Sequence, residues 1–173
     1  TVVISPLQSL MQDQVYKLKE KNINNVGTIN GSMNILERAE TIRRLNSGEI
    51  HLLYIAPETL RSPSMFKMLS RRNIVRFVID EAHCFSTWGH EFRVDYLYIS
   101  EFINEVKKNL VNYREVPVSC FTATAKKEVI DDIKNYFKKN LNLDMKVITA
   151  NTRRKNLKFF VHDCKDHKIG RAS

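Results

Sequence analysis

Glycine is scarce in this chain: five of 173 residues, at Gly27, Gly31, Gly48, Gly89 and Gly170. None opens a G-x-x-x-x-G-K-[ST] run, so these residues hold no phosphate loop of that kind. Cysteine is as sparse. Cys84, Cys120 and Cys164 are odd in number, far apart and without a CxxC pair. That excludes a disulfide framework and a four-ligand zinc site in this stretch, and it points to a reduced, cytoplasmic chain. No apolar run approaches the ~20 residues of a membrane span, and no basic-then-apolar leader opens the chain, so no membrane contact is expected. Repeats and low-complexity tracts are lacking, which excludes collagen-like, mucin-like and disordered chains. Acids are outnumbered, with 28 Lys and Arg against 19 Asp and Glu, a net charge of +9. A basic balance favours polyanionic partners and says nothing about fold. What remains is 43% hydrophobic and 27% charged, the profile of one globular domain large enough to bury a core without staples.

Short apolar runs alternate with helical patterns. Strands are expected at residues 1–5 (TVVIS), 26–29, 50–55 (IHLLYI), 74–79 (IVRFVI) and 118–121, with late strands at 146–149 and 157–161. Pro6 is expected to open a helix whose face carries Leu7, Leu10, Met11, Val15 and Leu18. Asn34 suits a cap for a helix through Leu45, with Gly48 as its stop. Further helices are expected at 63–71, 96–113 and 126–139, the last basic and amphipathic. Residues 81–94 form a polar, aromatic loop, and 151–156 (NTRRKN) a basic linker. Strands separated by helices imply right-handed crossovers and a parallel sheet, and the near-continuous apolar character of IVRFVI suits cover on both faces. The fold class expected is α/β, a parallel sheet with helices on both faces. The final residues, 168–173, carry no pattern and suit a frayed end.

The most informative stretch is Ile79-Asp80-Glu81-Ala82-His83. Two carboxylates follow a buried strand, at the edge where open α/β sheets bind ligands. Burying two acids is costly unless a cation or donors compensate. Magnesium on nucleotide phosphates does so, through one or two carboxylates and retained waters. Asp80 then stands on the magnesium side, through water, and Glu81 is placed to orient or deprotonate an attacking water. The plain alternative is two solvated acids starting a loop.

Asp80-Glu81-Ala82-His83 matches the Walker B box of superfamily 2 helicases. The longer run Asp80-Glu81-Ala82-His83-Cys84-Phe85-Ser86-Thr87-Trp88-Gly89-His90-Glu91-Phe92-Arg93-Val94-Asp95-Tyr96 resembles the RecQ family of DNA helicases, whose pattern is close to DEAHC-[IV]-S-x-W-G-H-D-F-R-P-x-Y. Val3-Ile4-Ser5-Pro6-Leu7, with Ser9-Leu10-Met11 and Asp13-Gln14, looks like motif Ia. Tyr54-Ile55-Ala56-Pro57-Glu58-Thr59-Leu60 looks like motif Ib, and Phe121-Thr122-Ala123-Thr124-Ala125 like motif III. Arg154-Lys155-Asn156-Leu157 resembles the approach to a second motor domain. The resemblance covers about residues 1–161. Glu91 stands for the usual Asp and Val94 for the usual Pro, and Phe121 replaces a smaller aliphatic residue.

The resemblance implies an ATP- and magnesium-dependent 3′-to-5′ DNA helicase of RecA-like fold, active in repair or recombination, acting on single strands and duplex junctions. It makes Asp80, Glu81 and His83 the catalytic set, with Asp80 and Glu81 on the nucleotide. His83 relays the nucleotide state to Thr122 and Thr124. Ser5, Pro57, Ser86, Trp88, His90, Phe92 and Arg93 fall to DNA binding and coupling. Trp88 and Phe92 offer flat faces to bases, each worth ~1–3 kcal/mol when stacked. The backbone at the start of the Pro6 helix suits an anion. Each has a plainer alternative: a core tryptophan, a satisfied turn histidine, a helix start and nothing more. Lys126, Lys127, Lys134, Lys138 and Lys139 could face DNA, or be a solvated helix face.

Since the chain opens at the motif Ia strand, the expectation is a fragment: residues 1–150 a partial first RecA-like domain lacking its P-loop strand and helix, and 151–173 a linker leading into the second. Such a fragment alone would be inactive. Other readings are a nucleic-acid-binding module without ATPase, an RNA helicase of the DEAD/DEAH kind, and a metal-dependent hydrolase using Asp80, His83, Cys84 and His90. The location expected is cytoplasmic, on the nucleoid in a bacterium, or nuclear in a eukaryote.

Overall fold

The computed structural model of the protein describes residues 1–87, 93–108, 116–123 and 126–149. Strands β1 (Val2–Ile4), β2 (Val26–Ile29), β3 (Leu52–Ile55), β4 (Phe77–Ile79) and β5 (Val118–Cys120) form one sheet. Their order is β2-β3-β1-β4-β5, and every neighbouring pair is parallel. Parallel neighbours require crossovers, which here carry α1 (Gln8–Glu20), α2 (Ile35–Asn46), α3 (Pro63–Leu69), α4 (Val94–Leu97) and α5 (Ile99–Lys108). A further helix, α6 (Lys127–Leu141), follows β5. The step from β1 to β2 crosses the sheet one way and the other three steps cross it the opposite way. Right-handed crossovers therefore put α1 on one face and α2, α3 and α5 on the other. This is the α/β class expected.

The larger core lies on the second face. Ile4, Ile29, Leu53, Ile55, Phe77 and Ile79 are buried there with Leu60, Met65, Leu69, Phe102 and Val106. Alternation along β1 leaves Val3 to the first face, where α1 buries Met11 and Val15.

Register sets the functional edge. Ile4 is level with both Ile55 and Ile79, Ile55 with Ile29, and Ile79 with Cys120. All five strands therefore end flush, and Asn30, Ala56, Ser5, Asp80 and Phe121 leave the sheet side by side.

Local chemistry explains several boundaries. Asn34 caps α2 in a reciprocal box: its side chain accepts from Glu37 N at 2.9 Å, and the Glu37 carboxylate accepts from Asn34 N at 3.3 Å. Gly48, just past that helix, takes φ +80°, a conformation glycine adopts without strain.

Other boundaries differ from expectation. Pro6 does not begin α1; it sits in a bend, buried, and the helix starts at Gln8. The loop after β4 contains a short 3₁₀ turn, Ala82–Phe85. The helix expected over 96–113 begins at Val94 and breaks at Tyr98, where Tyr98 N turns back to Asp95 O at 3.3 Å. The break lets Tyr96 and Ile99 both be fully buried. Residues 146–149 form no strand: Val147 and Ile148 are exposed and pair with no neighbour in the sheet. The linker at 151–156 and the strand expected at 157–161 lie outside the described residues, as does the end of the helix beyond Lys108.

Candidate active site

The acid turn grows out of β4. Asp80 N donates to Ile4 O at 2.9 Å, and Phe121 N to Ile79 O at 2.8 Å. Ala82 N donates to Phe121 O at 2.9 Å, so the ladder between β4 and β5 continues past both strands. This binds the turn to the Phe121-Thr122 segment.

Both Asp80 carboxylate oxygens accept from the protein, Oδ2 from Ser5 Oγ at 3.2 Å and Oδ1 from Glu81 N at 3.0 Å. Its carbonyl accepts from Tyr96 Oη at 2.8 Å. Burial raises the Tyr96 phenol far above its usual range, so it stays a donor at all ordinary pH. Each carboxylate oxygen has about two acceptor sites and spends one on the protein. The remaining capacity fits a hydrated magnesium, which keeps several waters and touches protein through them.

Glu81 is held at φ 48°, ψ 45°, in the left-handed region. For a residue with a Cβ that costs ~1–2 kcal/mol. Such strain persists where surrounding bonds over-determine it, here the hydrogen bonds of Asp80 and Ala82 on either side. The Glu81 side chain, a quarter exposed, sets Oε2 3.1 Å from His83 Nδ1. The same Nδ1 is 3.1 Å from Thr122 Oγ1. With hydrogen on Nδ1 the ring donates to the Glu81 carboxylate, which can only accept. With Nδ1 bare that nitrogen can only accept, and the Thr122 hydroxyl is a donor in reach. His83 Nδ1 thus lies within hydrogen-bond reach of both the acid turn and Thr122.

Three residues expected on DNA have buried side chains. Ser5 is 2% exposed and its hydroxyl serves Asp80. Pro57 is buried at the start of the 3₁₀ turn Pro57–Arg61. Ser86 is 0% exposed and its hydroxyl donates to Asp132 Oδ2 of α6 at 2.5 Å. Packing thus directs these three side chains inward, onto Asp80, the 3₁₀ turn and Asp132. Arg93 is half-buried, and its backbone N–H donates to Cys84 O at 3.2 Å. Trp88, His90, Phe92 and Thr124 lie outside the described residues. So does His90 as a ligand for the metal-hydrolase reading. Among the described residues no three of His, Cys, Asp and Glu converge on a metal position, and Cys84 is wholly buried.

Three residues absent from the sequence-based site support or border it: Tyr96, Asp132 and Phe121. Tyr96 closes the helicase-like run, but its bond to Asp80 O needs the fold. Asp132 lies 46 residues from Ser86, with no local signal. Phe121 is 59% exposed beside Thr122, an aromatic where the core would ordinarily claim one. Burial pushes the thiol of Cys120, one residue earlier, up to about 12.

A sheet with its strands ending flush, an acid pair at that rim and a histidine within reach of Thr122, just past β5, are consistent with a helicase domain of RecA-like fold. The DEAD/DEAH box helicase model matches residues 1–133, and the chain belongs to that family. More narrowly, the similarity is to RecQ-type enzymes. The chain is 41% identical over 133 residues to the ATP-dependent DNA helicase RecQ of Bacillus subtilis, 77% of this chain and 21% of that one. It is 39% identical over 134 residues to the probable ATP-dependent DNA helicase RecS of the same organism, 78% of this chain and 25% of that one. It is 37% identical over 166 residues to the RecQ-like DNA helicase blm-1 of Caenorhabditis elegans, 92% of this chain and 16% of that one. The chain spans a quarter or less of the length of these relatives. No helix among the described residues is long and apolar enough to cross a membrane.

Proposed function

We propose that this chain is part of the first RecA-like lobe of a RecQ-type DNA helicase, which couples ATP hydrolysis to 3′-to-5′ unwinding. Residues 1–150 belong to that lobe and 151–173 lead toward the second. The observation that carries the proposal is the hydrogen-bonded path from Asp80 and Glu81 through His83 to Thr122, set on the rim where the strands end together.

Asp80 would hold a hydrated magnesium by the acceptor capacity that Ser5 and Glu81 N leave open. Such an ion would supply neutralisation of phosphate charge during hydrolysis. Glu81 orients that water and takes its proton, which its partly open side chain allows. When the Glu81 carboxylate is so engaged, the Nδ1 of His83 changes partner toward Thr122, and the state of the acid turn passes to the neighbouring strand. The bend that follows, anchored through Ser86 to Asp132, reads single-stranded DNA and duplex junctions. The relatives' names favour DNA over RNA, and a location in the bacterial cytoplasm or a eukaryotic nucleus follows from such a substrate.

The test is ATP hydrolysis by the full gene product with and without single-stranded DNA. DNA should stimulate turnover several-fold, and Thr122→Ala should remove most of that stimulation while sparing the basal rate. DNA binding should also weaken steeply with salt as counterions are released. Equal stimulation of variant and wild type, or a flat salt dependence, would count against the proposal. Binding to DNA with no hydrolysis at all would favour a nucleic-acid-binding module.

A further inference from the structure

Between α2 and α3, on the flank of the helical layer, lies a groove of about 430 Å³. Its floor is apolar, made by Ile42, Met65 and Met68. Its walls carry Arg38, Lys67, Arg71 and Arg72. Among the described residues no acidic and no aromatic side chain lines it.

Charge pairing separates these cations from their neighbours. On the same helix, Arg43 and Arg44 are tied to Glu40 and Glu49 at 2.8 to 3.3 Å. Arg38, Lys67 and Arg71 have no ion-pair partner among the described residues. Arg72 is fixed at the end of the groove by its Nη2, which donates to Asn46 O, and its buried Nε has no acceptor among the described residues. The stripe along α2 runs Ile35, Arg38, Ile42, Asn46, the spacing of one helical face. Its first member, Ile35, is 86% exposed, so apolar surface continues past the groove.

Four cations without an acid call for an anionic partner. The floor selects among anions. A nucleic-acid strand gains affinity from aromatic platforms that stack its bases, and none is present. Isoleucine and two methionines suit an aliphatic or aromatic side chain, since methionine adapts to irregular shapes. We propose that the α2–α3 groove docks an acidic segment of a partner protein that carries an apolar anchor residue. The site is independent of the hydrolytic rim and does not rest on the proposed motor activity.

The probe is a fluorescein-labelled peptide of twelve residues, Asp and Glu flanking a central Leu-Phe pair, titrated with the chain at low salt. Saturable binding is expected in the micromolar range. It should fall at least tenfold for an all-acidic peptide of the same length, and at least tenfold in R38E/R71E. The neutral variant R38Q/R71Q should fall between, with thermal midpoints of both variants confirming an intact fold. Absence of saturable binding, or equal binding by R38E/R71E, would overturn the proposal. So would tight binding of oligo-dT that R38E/R71E abolishes while the anchored peptide fails to compete, which would make the groove a nucleic-acid track.

Discussion

At the sheet rim, Asp80 accepts hydrogen bonds on both carboxylate oxygens and on its carbonyl, whereas in the α2–α3 groove Arg38, Lys67 and Arg71 have no ion-pair partner among the described residues. The rim fixes its charges from inside: Ser5, Tyr96 and the neighbouring amides hold the acid turn, and Glu81 is kept in a strained backbone. The groove leaves its cations half-exposed or exposed on an apolar floor. Fixed charges suit chemistry, because preorganised groups need no rearrangement as charge develops. Unpaired surface charges suit recognition, where they guide encounter and choose partners. Changes at the rim should therefore act on turnover, on stability or on both, and changes in the groove on neither.

The largest effect expected is Glu81→Gln in the full gene product. It keeps the shape and removes the proposed base, so turnover should fall at least 100-fold with nucleotide binding retained, as loss of a general base does. A steady-state phosphate-release assay checks this. Next is Ser86→Ala, which strips the charge-assisted bond to Asp132 and leaves a partly buried carboxylate short of a donor. About 1–2 kcal/mol of stability should be lost, measured by urea denaturation. Glu81→Gly sharpens the contrast between strain and stability. Glycine relieves the left-handed backbone, so stability should be unchanged or rise by up to ~1 kcal/mol even as hydrolysis is lost. A drop of more than that size would show that φ +48° is not strained here. The smallest effect is R38E/R71E, surface changes expected to move stability by no more than ~0.5 kcal/mol.

Much of this was legible along the chain, for identifiable reasons. Asn34 with Glu37 three residues on is a local signal, and α2 starts where it says. The acid turn was legible because its residues are contiguous, and a strand must precede them. What was hidden depends on contacts across the chain. Nothing near Ser86 in sequence points to Asp132, and nothing near Asp80 points to Ser5. That the side chains of Ser5, Pro57 and Ser86 pack inward was hidden too, because a motif fixes position and not the direction of a side chain. Val147 and Ile148 have strand-like character, but a strand exists only where a neighbour offers its edge, and among the described residues none does there. The left-handed Glu81 could not be foreseen, because glycine or asparagine usually marks that conformation.

The division of labour between the two rim acids is the centre of the account. It is tested most directly by Mn²⁺ binding, as the magnesium surrogate, to the full gene product with a non-hydrolysable ATP analogue. Asp80→Asn should weaken the metal at least tenfold, and Glu81→Gln should leave its affinity within about twofold of wild type. Equal losses in both variants, or none in Asp80→Asn, would contradict it.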